Sequence, residues 1–190
     1  MSIQTQNFYN FYIEKVQPEL SSYLKIKNLH QLPKIKKIVI NRGLGQLVQN
    51  PKQITNSLNE LALISGQSGI IRKSKKSIAN FKIRENMPVG ISITLRGKKM
   101  YAFLDRLINF SLARIRDFRG LSYKNFDGNG NFNFGLNEQF MFPEINFESV
   151  KNIEGINITI VTTTKNDNIA WFLLSCFGFP FNKKFEKQTF

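Results

Sequence analysis

The chain has 190 residues, 42% of them hydrophobic and 13% aromatic, with a formal net charge of +14. Length and composition exclude a disordered tail and two comfortable domains, which leaves one domain over 1–190 with a real core. The charge calls for a polyanionic partner, either nucleic acid or an anionic membrane surface.

In chain order, Tyr9, Tyr12, Ile13, Val16, Leu20, Tyr23 and Leu24 recur at helical spacing and predict an amphipathic helix over 8–24 that ends or bends at Pro18. Residues 1–7 carry neither an Arg/Ser-rich presequence nor an apolar signal core, so the expectation is a protein that either stays where it is made or has had its signal removed. Beyond Pro33, the β-branched run 35–41 predicts a strand, followed by a turn at Gly43 and Gly45. Asn50 as cap, Pro51 in the first turn and Gln53 in the capping-box position open a helix. Ile54, Leu58, Leu61 and Ala62 are its expected buried stripe, and Gly66 its stop.

The stretch 72–84 then brings six cations and no acid, flanked by the apolar segments 69–71 and 89–95. It predicts a long basic loop carried on a sheet, which either lays Lys and Arg along phosphates while Phe81 offers a stacking face or is a solvated connector with ordinary surface charge. Ile91, Ile93 and Leu95 alternate with polar residues as a half-buried strand. A helix over 98–115 follows, with Met100, Phe103, Leu104, Leu107 and Ile108 on its apolar side. Residues 121–131 are turn-rich around Asp127-Gly128-Asn129-Gly130, and Phe132, Phe134 and Leu136 form another strand. Ile156, Ile158 and Ile160 form the last strand, and Asn166 or Asp167 caps a final helix built on Ile169, Ala170, Leu173, Leu174 and Phe177.

This order predicts an α+β fold, a mostly antiparallel or mixed sheet with helices packed on one face and an open polar face suited to nucleic acid. The open face is expected to carry Lys37, Asn41, Ser92, Thr94, Arg96, Asn157 and Thr159. Charge is also uneven along the chain. Between Arg72 and Arg119 thirteen Lys/Arg stand against three acids, whereas Glu138 to Glu154 holds four Glu and one Lys, an acidic patch suited to a basic partner.

Catalytic readings are weak. His30 has no partner Cys or His, so neither a metal site nor a cofactor is implied. Gly128-Asn129-Gly130 lacks the third glycine of a dinucleotide fingerprint, and Lys73-Ser74 and Lys76-Ser77 lack the glycine of a phosphate loop. Glu138 and Glu144 have no neighbours that would split their roles as a carboxylate pair. The single Cys176 reads as a buried, inert thiol of a reducing compartment. The longest nearly apolar run, 169–181, falls short of the roughly 20 residues of a membrane span, and the basic segment is no amphipathic helix, so no membrane is expected. The aromatic strand signature of the common RNA-recognition motif is absent as well.

Several stretches together carry a resemblance: Ile38-Val39-Ile40-Asn41-Arg42-Gly43-Leu44-Gly45, Ile64-Ser65-Gly66-Gln67, Lys75-Lys76-Ser77-Ile78-Ala79-Asn80-Phe81-Lys82-Ile83-Arg84, Ile93-Thr94-Leu95-Arg96-Gly97, Arg114-Ile115-Arg116-Asp117-Phe118-Arg119-Gly120 and Phe126-Asp127-Gly128-Asn129-Gly130-Asn131. With Phe142-Pro143-Glu144-Ile145 and the closing 177–181, the chain closely resembles, over nearly its whole length, the ribosomal protein L-five family, the large-subunit proteins that bind 5S ribosomal RNA.

The resemblance implies a non-enzymatic constituent of the central protuberance, in contact with large-subunit ribosomal RNA and the other proteins there. By it, 5S RNA is held by Asn41, Gln67 and Thr94, flanked by Lys37 and Arg96. The basic loop, with Lys73, Lys75, Lys76, Ser77, Asn80, Phe81, Lys82 and Arg84, reaches P-site transfer RNA. Glu138, Glu144 and Glu148 meet a basic protein of the small-subunit head as an intersubunit bridge. Asn80 stands where a Gly is usual, Ala113 where a Pro is common, and Asn129 and Asn137 where basic residues are frequent. The wording is most similar to plastid and cyanobacterial members, which implies an organelle-encoded plastid (chloroplast) protein, with a mitochondrial or AT-rich bacterial origin as the alternative.

Overall fold

The computed structural model describes residues 7–45, 51–116, 118–145 and 153–182. They form an α+β fold around a five-stranded antiparallel sheet, ordered β2-β3-β1-β5-β4. The strands are β1 Ile35–Gly43, β2 Ile70–Lys73, β3 Pro88–Leu95, β4 Phe132–Leu136 and β5 Ile156–Thr162. The α-helices are α1 Asn7–Phe11, α2 Gln17–Leu24, α3 Pro51–Ser65, α4 Gly97–Arg106 and α5 Asp167–Cys176. Two compact units divide the chain, one within Met1–Ile38, Arg96–Phe134 and Thr159–Phe190, the other within Val39–Leu95 and Gly135–Ile158.

In the first unit the N-terminal helix does not end at Pro18. A π turn, Tyr12–Val16, joins α1 to α2, and Gln17 N–H bonds back to Tyr12 O. Pro18 follows directly on this π turn, near the start of α2, so the helix passes through the proline where its backbone has already left the regular α pattern. The buried side of this helix is aromatic: the Tyr12 and Phe177 rings stack at 5.8 Å, and Tyr12 Oη donates to Pro33 O at 3.1 Å. Burial pushes the hydroxyls of Tyr12 and Tyr101 above the usual phenol range. The predicted 98–115 helix is α-helical only to Arg106, continuing as a π turn over Leu107–Ser111 and a 3-10 turn over Leu112–Arg114. Asn166 caps α5 by accepting from Asn168 N–H, and Ala170, Leu173 and Leu174 are buried on it.

Cys176 closes α5 beside Pro18, Glu19, Tyr23 and Phe172. Burial pushes its thiol up to about 12, and the Glu19 carboxylate that accepts its S–H adds to the effect. Only the thiolate is nucleophilic, so at pH 8 iodoacetamide should alkylate Cys176 far more slowly than free cysteine, with Glu19→Gln speeding the reaction. A parent rate equal to that of free cysteine, followed by mass spectrometry, contradicts this.

In the second unit, alternation along the strands sorts side chains as predicted: Ile91, Ile93 and Leu95 of β3 are buried while Ser92 and Thr94 are only half-buried. Gly66 takes φ +69° and stops α3. The expected cap Asn50 lies outside the described residues. The buried stripe of α3 is Ile54, Ser57, Leu61, Ile64 and Ser65, not the expected Leu58 and Ala62, which are half-buried. The stripe is rotated toward Ser57, whose hydroxyl donates to the Glu154 carboxylate.

Candidate nucleic-acid interface

Strand parity builds the open face of the second unit. Because Ile40 and Arg42 of β1 turn inward, Asn41 and Gly43 turn outward and are exposed. Asn157 of β5 and Gly135 of β4 are exposed by the same alternation. Gly90 lies beneath Asn41: a Cβ there would stand 3.0 Å from Arg42 O and 3.8 Å from Asn41 Oδ1, so its hydrogen leaves the amide of Asn41 uncovered. Gln67 follows the Gly66 stop, its N–H bonded to Ser65 Oγ at 3.2 Å, and its Nε2 donates to Thr94 O at 3.3 Å. Gln67 and Thr94 are therefore brought together, and Asn41 lies on the strand beside that of Thr94. Lys37, half-buried on β1, and Arg96, exposed just before α4, belong to the first unit.

The predicted basic loop is a built arm rather than an open loop. It grows from β2 and β3, antiparallel with Ile70 opposite Ser92 and Ile71 opposite Ile91. Ser74 clasps its base: Ser74 N–H bonds to Met87 O at 2.8 Å, Ser74 Oγ accepts from Met87 N–H at 3.2 Å, and the same hydroxyl donates to Arg84 O. Further out, Ile78 and Ile83 exchange backbone bonds at 2.9 and 3.2 Å, and Ser77 Oγ accepts from Glu85 N–H at 2.9 Å. A 3-10 turn, Ala79–Phe81, closes the tip with Lys82 at φ +54°. The left-handed position falls on Lys82 and not on Asn80, so asparagine in place of the usual glycine costs the turn no backbone strain.

Lys73, Lys75, Lys76, Ser77, Asn80, Lys82 and Arg84 are all exposed, and Phe81 is 70% exposed at the tip. Among the described residues none of these cations is in an ion pair. A cationic arm with one bare aromatic ring suits a phosphate backbone and an unstacked base.

The acidic segment is less uniform than its composition. Glu138 is exposed and Glu144 half-buried, while Glu148 lies outside the described residues. Glu154 turns inward. Its Oε2 lies 3.2 Å from Nη1 of Arg42, which is completely buried and also pairs with Glu60 at 3.0 Å. Ser57 Oγ, 3.5 Å from the same Nη1, donates to Glu154 Oε2, and Glu154 N–H donates to the buried Gln139 at 2.6 Å. This cluster draws Ser57 into the stripe of α3. No prediction singled it out, although Ile38 and Ile40 mark the inward parity of β1 that Arg42 shares.

Among the described residues no group of three His, Cys, Asp or Glu side chains is placed to hold a metal, and no helix is long and apolar enough to cross a membrane.

Residues 28–84 match the family model described as ribosomal protein L5, and residues 88–181 match the model described as the C-terminus of the same ribosomal family. The chain is similar to the large ribosomal subunit protein uL5c of Chlorokybus atmophyticus, 55% identical over 177 residues that span 93% of this chain and 96% of that protein. It is likewise similar to the uL5c proteins of Nephroselmis olivacea, 54% identical over 93% of this chain and 96% of that protein, and of Mesostigma viride, 52% identical over 95% and 98%.

Proposed function

Since the chain belongs to the ribosomal protein L5 family, plastid type, and is a structural constituent of the large ribosomal subunit in translation and not an enzyme, we propose that its polar sheet face binds 5S ribosomal RNA. Its place is the chloroplast ribosome. Large-subunit ribosomal RNA is a partner by family, and other central-protuberance proteins are proposed neighbours. What supports the 5S reading is that Gln67 bonds to Thr94 of β3 while Asn41 is exposed on the neighbouring β1, with Gly90 placing no side chain beside the Asn41 amide. Such groups read 2′-hydroxyls, phosphates and base edges, where an aromatic platform would read unstacked bases. Lys37 and Arg96 add charge. The arm from Lys73 to Arg84 is proposed to contact P-site transfer RNA, and Glu138, Glu144 and Glu148 a basic protein of the small-subunit head.

Titration of 5S RNA tests the face directly. Asn41→Ala, Gln67→Ala and Thr94→Ala should each cost roughly 1–3 kcal/mol, the loss of one directional contact, while the affinity of every variant falls steeply with salt. Parent-strength binding by all three variants overturns the assignment.

A further inference from the structure

Arg42 presents a physical puzzle. It is completely buried, yet one nitrogen, Nη1, makes every contact, to Glu60, Glu154 and Ser57, while Nε and Nη2 have no hydrogen-bond partner among the described residues. A guanidinium with two idle buried nitrogens stabilises poorly, and apolar groups of similar volume often serve a core as well or better. What this cluster does well is fix geometry. Arg42 neighbours Asn41 along β1, Ser57 and Glu60 belong to α3, and Glu154 leads into β5 while holding Gln139. Two chain segments, α3 and that of Glu154, are thus tied to the underside of the strand whose upper side carries the Asn41 amide, and Gln139 is joined to them through Glu154.

We infer that Arg42, with Glu60 and Glu154, is a positioning residue for RNA binding: it holds β1 so that Asn41 meets the RNA, without itself touching it. The inference rests on the 5S reading above. Recognition by directional hydrogen bonds tolerates a shift of only about 0.5 Å in the supporting shell, which is why a buried clamp matters there.

The test uses the full chain, 5S RNA and two variants for which Coulomb and positioning effects have opposite signs. Glu154→Gln removes a negative charge from a protein that binds a polyanion, so electrostatics alone tightens binding. The apolar triple Arg42→Met/Glu60→Leu/Glu154→Leu also raises the net charge, and its thermal midpoint should stay near that of the parent. Positioning predicts that both bind about tenfold more weakly, with a salt slope equal to the parent's because no phosphate contact is lost. Binding as tight as the parent's, or tighter, by Glu154→Gln overturns the proposal even if the triple variant does not fold. Asn41→Ala, Gln67→Ala and Thr94→Ala are measured alongside: if all three also bind normally the 5S reading has failed, whereas if Asn41→Ala weakens binding and Glu154→Gln does not, only the clamp is wrong.

Discussion

Gly130→Ala lowers the midpoint of thermal unfolding by about 10 °C, against about 3 °C for Gly128→Ala two residues earlier. Both glycines have positive φ, +75° and +83°, so an added Cβ costs each about 1 kcal/mol in backbone conformation. Their surroundings differ. Around Gly128 a Cβ meets nothing within 4 Å, while at Gly130 it runs into the Thr164 carbonyl group, whose carbon would be 3.0 Å away. Backbone cannot step aside as a flexible side chain does. Moving it disturbs the bond from Thr162 Oγ1 to Gly130 O at 2.7 Å and that from Gly130 N–H to Asp167 Oδ1 at 2.7 Å. Asp167 also holds Gly128 N–H at 2.9 Å and opens α5, so the turn and the helix start yield together, for a total near 3 kcal/mol. Calorimetry of the two variants decides the matter: equal shifts mean that the close approach at Gly130 carries no energy.

The turn itself was legible from Asp127-Gly128-Asn129-Gly130. Asp127 Oδ1 accepts from Asn129 N–H at 2.8 Å and Asn131 N–H at 3.0 Å. Burial works to raise its carboxyl, but these bonds and that from the Asn131 side chain outweigh it and leave the group below the usual carboxylate range. Its tie to Asp167 was not legible, because 37 residues separate Gly130 from its acceptor and no local pattern announces the pairing. Four of the five strands were read well for the opposite reason, since a period of two survives in Ile91-Ser92-Ile93-Thr94-Leu95 whatever the partner strand is, whereas β2 Ile70–Lys73, exposed along its whole length and without alternation, was taken as a flank and the start of the basic loop. Helix details fared worse where the backbone left the 3.6 period: the π turns at Tyr12–Val16 and Leu107–Ser111 insert an extra residue that apolar spacing cannot resolve. Within the candidate site, the outward positions of Asn41 and Thr94 followed from strand parity, while Gln67 was reached only through the family resemblance. Arg42 was hidden because a cation reads as surface until two carboxylates remote in sequence are seen to meet it.

Replacing Lys75, Lys76 and Lys82 together with alanine leaves 5S affinity and assembly into large subunits close to normal, yet weakens transfer RNA on complete ribosomes by roughly a hundredfold at low salt, flattening the salt slope by about one per lost phosphate contact. The variant keeps its arm because no lysine side chain builds it. Closure rests on the Ser74 clasp, the Ile78–Ile83 pair and the Ser77 hydroxyl, and the three ammonium groups are exposed and in no ion pair among the described residues. The proposed 5S face draws on other side chains, the amides and hydroxyl of Asn41, Gln67 and Thr94, so the two proposed surfaces should fail independently. Phe81→Ala separates the arm's two chemistries: losing a base stack costs about 1–3 kcal/mol of transfer RNA binding but leaves the salt slope as it was. Paired titrations on each variant, 5S RNA with the free protein and transfer RNA with whole ribosomes, read both surfaces. A large loss of 5S affinity in the triple variant, with transfer RNA held at full strength, would move the arm from the transfer RNA side to the 5S platform and sink this division of labour.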